Sequence, residues 1–501
     1  MNLSPVQESI VATKGNLVVR ASAGTGKTHT MVSKIVKEIG NNKTHRVIAA
    51  ITFTIKAAQE IKDRISVDVS RHFVGTNNSF VIEEVIKPFM KDVFGAEFDK
   101  ELNTDYSIKV NNFNEGLDKA RNESILCSYR ENKKNFIFEL ALEIVKRSRA
   151  CQLYLKSKYF KIYIDEYQDC DQHMHTFFMF ICNNLNIKTF VVGDEKQSIY
   201  IWRGAYPEAF KSIWRMDNYE KIFMGDNFRS CQQIQNYSNL LFEETRNRYT
   251  VVSALGNIVW VVTSSTTWQL DILQHIDVSK KLALLRYSRD NAKSGAQQLT
   301  QTGVECVYIP PLPIADITTE AAWLYASIAK FVILDHYSVY DLISEIPVEG
   351  EESKRKVAKI DKYLRDIFSS KDESDAFKNQ VTKLAEYLGY ATKVEHIEKL
   401  FQTISDSRYH VVFESEKYRN ISITFHSSKG LEFDQVIIFA DDYSLSDMVS
   451  VYNHYVAVTR AKYKLIIVRL NNSNADSFER NLTAILGKSG IGIEDIVEIH
   501  E

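Results

Sequence analysis

The chain has 501 residues, 45% hydrophobic and 25% charged, with a formal net charge of -2. That is ordinary globular composition, at a length suited to two to four domains. It holds no apolar run long enough to span a bilayer, and the start, MNLSPVQESIV, lacks the shape of a signal peptide. The six cysteines are scattered with no CxxC pair, which argues against zinc or iron–sulfur ligation and for a reducing cytoplasm.

The first predicted strand is NLVVR, ending at Arg20. ASAGTGKT follows at Ala21–Thr28, and then Met31, Val32, Ile35, Val36 and Ile39 recur at helical spacing. Strand, glycine-rich loop and helix in that order suit a phosphate-binding loop, in which backbone N–H groups at a helix N-terminus wrap the phosphates. Within Ala21, Ser22, Ala23, Gly24, Thr25, Gly26, Lys27 and Thr28, Lys27 can reach the β and γ oxygens of ATP and Thr28 can hold Mg²⁺. Ala21 stands where a first glycine is usual.

Strand–helix alternation over 16–66 and 160–215 predicts one doubly wound α/β domain built from residues 1–80 and 161–216. Residues 81–160 read as a mainly helical insertion. Nine Lys/Arg fall between Cys127 and Lys161. On charge count alone this is a solvated helix face. FKIYIDEYQD (Phe160–Asp169) predicts a strand ending in Asp165 and Glu166. Asp165 would hold Mg²⁺, and Glu166 would orient and deprotonate the attacking water. KTFVV reads as a further buried strand. GDEKQSIYIWRGA (Gly193–Ala205) after it sets polar groups suited to phosphate beside aromatics suited to stacking.

A second doubly wound domain is expected over 217–312 and 408–501, with strands NIVWVV, KLALLRY, ITFHSSKG, QVIIFA and KLIIVRL. The stiff PPLP at Pro310–Pro313 opens a short helical insertion over 313–407, with an acidic turn near Glu349–Glu352. Two arginines are candidates for stabilising charge at the γ-phosphate. Arg229 lies in DNFRS, and Arg460 lies in YVAVTRA on a helix predicted from about 446 to 462. An arginine supplied by a second domain makes hydrolysis depend on domain closure. Ligands are expected at the carboxyl ends of the strands.

In order, LSPVQESIV, ASAGTGKT, ITFTIKAAQEIKDR, VGTNNSF, IDEYQD, VVGDEKQSIYIWRGA, DNFRS, ITFHSSKGLEFDQVII and YVAVTRA resemble the motifs of superfamily 1A DNA helicases of the UvrD/Rep/PcrA type. The resemblance implies two RecA-like domains, 1A and 2A, with insertions 1B and 2B. It implies that Gln7 reads the adenine edge, Phe228 stacks on the base, Glu432 meets the ribose, and Gln197 senses the γ-phosphate beside Lys27, Asp165, Glu166, Arg229 and Arg460. Phe53, Tyr200, Trp202 and Arg203 would line a single-strand track, with Thr52, Thr76 and His426 near the DNA backbone. Stacking on Trp202 would be tolerant of sequence, since every base has a π face.

Four departures stand out. His29 replaces the arginine that usually flanks the base, and Phe228 replaces a tyrosine. Asn78 replaces a histidine, altering one DNA contact. MVSVYNH (Met448–His454) replaces a charged run, weakening an expected polar coupling between the domains.

The size, the short 2B position and the motif variants resemble the helicase-like GajB subunits of Gabija anti-phage systems, which work with an OLD-family ATPase–nuclease, GajA. That likeness implies an ATP- and Mg²⁺-dependent 3′-to-5′ motor on single-stranded DNA or DNA ends. It would act in the cytoplasm, away from membranes, in a hetero-oligomer with a GajA-like nuclease. The alternative is an ATPase that senses DNA ends or single strands and activates the nuclease without processive unwinding. The reduced 2B position favours this alternative somewhat.

Overall fold

The computed structural model describes residues 3–317, 319, 321–346 and 353–501, so the acidic turn expected near Glu349–Glu352 lies outside the described residues. Strands β1 (Leu17–Ala21), β2 (Val47–Thr52) and β3 (Phe73–Thr76) precede an insertion that holds β4 (Asn103–Val110) and β5 (Ile125–Tyr129). Then β6 (Tyr159–Ile164), β7 (Lys188–Gly193) and β8 (Glu220–Met224) complete a six-stranded sheet ordered β3-β2-β6-β7-β1-β8. Every pairing in it is parallel.

Parallel strands covered on both faces are apolar throughout, and β2 (VIAAIT) is buried at every position. Successive side chains serve opposite faces. Leu17, Val19 and Ala21 pack with Met31 and Ile35 of the helix Lys27–Asn41, while Val18 joins Ile162, Ile164 and Phe177 on the other side.

One expected boundary needs correction here. Strand β8 pairs with β1 from Leu17↔Glu220 to Ala21↔Met224, so the first sheet runs past the expected boundary at 216. As an edge strand with Glu220 and Lys221 exposed, β8 lacks the apolar signature of its neighbours. The insertion over 81–160 also contains a two-stranded parallel sheet, β4 with β5, besides its helices.

Strands β9 (Ile258–Thr263), β10 (Leu282–Arg286), β11 (Val307–Tyr308), β12 (Asn420–Thr424), β13 (Phe433–Phe439), β14 (Ala461–Leu470) and β15 (Glu498–His500) form a second parallel sheet, ordered β11-β12-β10-β13-β14-β9-β15. The fold class expected from sequence, two RecA-like parallel sheets flanked by helices, is the one observed. Between β11 and β12 the chain builds helices around a core of its own, including Leu324, Ile328, Leu364, Phe377 and Leu400. Among the described residues no helix is long and apolar enough to cross a membrane.

Candidate nucleotide and nucleic-acid cleft

The loop between β1 and the helix Lys27–Asn41 turns through Gly24 and Gly26, at φ of +75° and +78°. A Cβ on Gly24 would lie 2.3 Å from Asn227 Oδ1 and 2.8 Å from Arg229 Cβ, so only glycine lets DNFRS come this close. Phe228 N–H donates to the Gly24 carbonyl at 2.9 Å, tying the two segments together. Lys27, Thr28, Asp165, Glu166, Gln197, Phe228, Arg229, Glu432 and Arg460 all line one cleft of about 1360 Å³. The first sheet meets it with the carboxyl ends of β1 and β6. The second sheet meets it with residues just ahead of β13 and β14, contrary to the carboxyl-end expectation for that half.

Asp165 and Glu166 follow β6 directly. Glu166 has φ +49°, a left-handed conformation that costs a non-glycine residue about 1–2 kcal/mol. Its carboxylate lies 3.9 Å from Lys27 Nζ, and its N–H donates to Asp165 Oδ1 at 2.8 Å. Burial, and then the charge of Glu166, push the Asp165 carboxyl up to about 7. Burial would also raise Glu166, but its side chain keeps 31% exposure in the open cleft, and Lys27 and Lys429 hold it down at about 2. Of the two neighbouring acids, Glu166 is therefore the anion. Thr28 and Asp165 both line this cleft and offer hard oxygen donors that fit Mg²⁺, whose charge would favour the ionised form of Asp165.

Arg460 is 1% exposed. It donates to the carbonyls of Val456 at 2.9 Å and Leu431 at 3.1 Å, and through Nη2 to Gln197 Oε1 at 3.4 Å. Burial, and then the nearby Arg229, bring it down to about 9, and among the described residues no carboxylate pairs with it. A buried guanidinium held by neutral acceptors is matched to an anion arriving in the cleft. It does not sit on the predicted helix, which ends at Val458. Thr459 caps that helix, Arg460 fills the turn, and β14 begins at Ala461, where pairing with Phe433 takes over. Arg229 pairs with Glu432 at 2.8 Å and donates to the Thr459 carbonyl at 3.1 Å. Glu432 also pairs with Lys462 at 2.6 Å, and those hydrogen-bonded cations outweigh its partial burial and lower its pKa.

Gln7 is buried with its amide engaged: Oε1 accepts from Ser4 N–H at 2.9 Å and Nε2 donates to the Thr25 carbonyl at 3.1 Å. His29 lines the cleft nearby, and among the described residues its Nε2 has no hydrogen-bond partner. Phe228 is 61% exposed, a free aromatic face at the same mouth.

The cleft continues past Thr52, Phe53, Asn78, Tyr200 and Arg203. Thr52 is buried and donates to the Thr54 carbonyl at 3.0 Å, and Phe53 packs half-buried on the first core. Asn78 donates to the Tyr106 hydroxyl at 3.2 Å. Lys429 Nζ lies 4.8 Å from the Tyr200 ring centre. Trp202, Thr76 and His426 lie outside this lining. Thr76 caps the helix Asn77–Val81. The Trp202 indole is 59% exposed, with the Arg203 guanidinium 4.6 Å from its ring centre. Burial, and then the charge of Arg203, push His426 down to about 4, so its ring is neutral near pH 7.

Several residues that sequence reasoning passed over hold this site together. Lys429 of HSSKG pairs with Asp169 of IDEYQD and donates to the Gln197 carbonyl at 3.1 Å, joining the two halves. Asp169 is raised to about 6 by burial even with Lys429 beside it. The only local signal was a lysine in HSSKG and a second acid in IDEYQD, two polar motifs 260 positions apart. Lys109 and Tyr106 of the insertion also line the cleft, together with Lys134 of the basic run between Cys127 and Lys161. Much of the basic run is neutralised by pairing, as in Lys134–Glu131, Lys146–Glu143, Lys158–Glu84 and Lys161–Glu38.

Residues 7–203 match the AAA domain family, and residues 421–468 match the UvrD-like helicase C-terminal domain family. The chain is 38% identical over 482 residues to Gabija protein GajB of Bacillus cereus strain VD045, which covers 94% of this chain and 97% of that protein. It is 25% identical over 309 residues to DNA helicase II of Haemophilus influenzae, covering 51% of this chain and 41% of that protein. It is 26% identical over 311 residues to ATP-dependent DNA helicase PcrA of Staphylococcus epidermidis, covering 49% of this chain and 40% of that protein.

Proposed function

The chain belongs to the family of Gabija protein GajB, among the UvrD-like helicases, and from that premise we propose that it is an ATP-driven translocase on single-stranded DNA. In this reading it moves 3′ to 5′ and serves an anti-phage complex with a GajA-like nuclease. The observation that supports it is one continuous cleft in which a phosphate loop, an anionic Glu166 and the Arg229–Arg460 pair lie beside Tyr200 and Arg203.

Backbone N–H groups of the glycine loop would hold the phosphates of ATP, with Lys27 at the β and γ oxygens. Thr28 and Asp165 would hold Mg²⁺, which would supply Lewis-acid charge to the bound nucleotide. Glu166, kept ionised by Lys27 and Lys429, takes the proton of the attacking water. Arg229 and Arg460 offset the charge that develops on the transferring phosphoryl group. Gln197, whose carbonyl faces Arg460, would register the γ-phosphate and pass its loss to Tyr200, Trp202 and Arg203 a few residues on.

A second reading, a DNA-sensing ATPase that switches a nuclease without processive unwinding, is favoured by one contact. Lys393 of the second insertion pairs with the buried Asp105 and donates to Ser107 Oγ at 3.2 Å, fastening the two insertions together. ATP hydrolysis with and without a single-stranded oligonucleotide tests both readings, and strand separation on a forked duplex divides them. Stimulated hydrolysis with unwinding supports the translocase. Stimulated hydrolysis without unwinding supports the sensor. Hydrolysis that survives Lys27→Ala overturns both.

A further inference from the structure

Lys196 is a lysine where a buried segment gains nothing from a charge, and it is only 2% exposed. Removing an ammonium from water costs several kcal/mol unless it is paired and hydrogen-bonded. Its partners come from separate segments that converge on the nucleotide cleft. Nζ donates to Ser22 Oγ of the phosphate loop at 2.8 Å and lies 3.7 Å from Asp194 Oδ1. The rings of Tyr455, Phe242 and Phe223 surround it, with centres 5.5, 5.8 and 5.9 Å away.

Asp194 is wholly buried, and its two oxygens have different duties. Oδ1 faces Lys196. Oδ2 accepts from Gln197 Nε2 at 2.8 Å and from the Tyr455 hydroxyl at 3.3 Å. The donation from Gln197 fixes which way its amide points: with Nε2 on Asp194, Oε1 faces Arg460. If the amide turned over, its N–H₂ would confront a guanidinium. The orientation of Gln197 therefore rests on an anionic acceptor, and the anion rests on a buried counter-charge.

We propose that Lys196 is a positioning residue of the nucleotide site: its ammonium neutralises the buried Asp194 carboxylate and anchors Ser22, and through Asp194 it holds the Gln197 amide with its carbonyl toward Arg460. This deepens the ATPase reading and rests on it. The residue acts by charge, so shape alone cannot replace it. It also sets the phosphate loop and Gln197 from one point, because the same ammonium touches both segments.

The test is steady-state ATP hydrolysis with a single-stranded oligonucleotide, together with thermal melting, on full-length variants. Lys196→Met keeps the side-chain length without the charge and is expected to lower kcat about tenfold or more, since it leaves Asp194 as an unpaired buried carboxylate. Lys196→Arg keeps the charge and is expected to stay within about threefold of the unaltered protein. The double variant Lys196→Met/Asp194→Asn removes both charges and is expected to be about fivefold or more faster than Lys196→Met alone, a compensation that only coupled sites show. If Lys196→Met does not fold, the double variant and Lys196→Arg carry the comparison: a folded double variant supports the counter-charge role, and an unfolded one overturns it.

A Lys196→Met enzyme with unaltered kcat, or a double variant no faster than the single, also overturns the inference. A Lys27→Ala control separates this from failure of the ATPase reading. Hydrolysis insensitive to Lys27→Ala removes that reading, whereas hydrolysis that needs Lys27 but ignores Lys196→Met removes only the inference.

Discussion

The Tyr455 hydroxyl accepts the backbone N–H of Ala23 at 3.0 Å, joining a helix of the second half to the phosphate loop. The same hydroxyl donates to Asp194 Oδ2 at 3.3 Å, so one phenol touches both the loop and the anchor of Gln197. The charged run expected ahead of YVAVTRA is absent, yet polar coupling survives through this neutral group. Tyr455→Phe removes one atom and leaves a buried N–H without its acceptor, at a cost of about 1–3 kcal/mol. The expected result is a thermal midpoint lower by a few degrees and DNA-stimulated ATP turnover lower by roughly threefold to tenfold. Melting curves and turnover identical to the unaltered protein would show that the contact carries no coupling.

Glu166 is the ionised member of a carboxylate pair, held so by Lys27 and Lys429 against the effect of burial. Glu166→Gln keeps size and hydrogen bonding but cannot take a proton. A lost general base lowers turnover about 10²- to 10⁴-fold. ATP binding, measured with a fluorescent analogue, is expected to persist in Glu166→Gln and to weaken in Lys27→Ala. Rapid hydrolysis by Glu166→Gln would move the base elsewhere.

The parts of this site that could be read from sequence are the contiguous ones. Ala21–Thr28 lies between an apolar strand and an amphipathic helix, and Asp165 and Glu166 close an apolar run, so local pattern places them at strand ends. The sequence around Arg460 continues a helical pattern, and nothing local announces that β14 begins at Ala461; the register with Phe433 decides it. The Tyr455–Ala23 contact spans 432 positions and Lys429–Asp169 spans 260, and no periodicity reports such meetings. EKIFMG is strand-like in the sequence, but only the backbone pairing with β1 assigns β8 to the first sheet and not the second.

His454 is fully buried, with Nε2 2.9 Å from the Tyr237 hydroxyl and, among the described residues, no partner for Nδ1. Burial pushes it down to about 3, so the fold holds it neutral, whereas the unfolded chain binds a proton near its ordinary 6.5. Stability from this group is therefore complete above pH 6.5 and is lost as pH falls toward 3. Between pH 6.5 and 5 the loss amounts to roughly 2 kcal/mol. Asp165 and Asp169, both raised by burial, act in the opposite sense, because acid favours their folded forms. Comparing melting at pH 7.5 and 5.0 in the unaltered protein and in His454→Gln isolates the histidine. The variant is expected to lose less stability on acidification, and equal losses would remove His454 as the cause.

Trp202 leaves a large apolar surface in water beside Arg203, which a packing residue would not do. Stacking of one base on such a ring contributes about 1–3 kcal/mol. Trp202→Ala is therefore expected to weaken single-strand binding about tenfold or more, with Trp202→Phe losing less, as read by anisotropy of a labelled thymidine oligonucleotide. Stimulated ATP turnover should fall more than basal turnover. Salt distinguishes the two kinds of contact. Lys and Arg contacts to phosphate release counterions, so affinity falls as salt rises. Those contacts remain in Trp202→Ala, and its plot of log affinity against log salt should run parallel to that of the unaltered protein, displaced downward. A changed slope would mean that the loss lies in phosphate contacts, and an unchanged affinity would mean that no base rests on the indole.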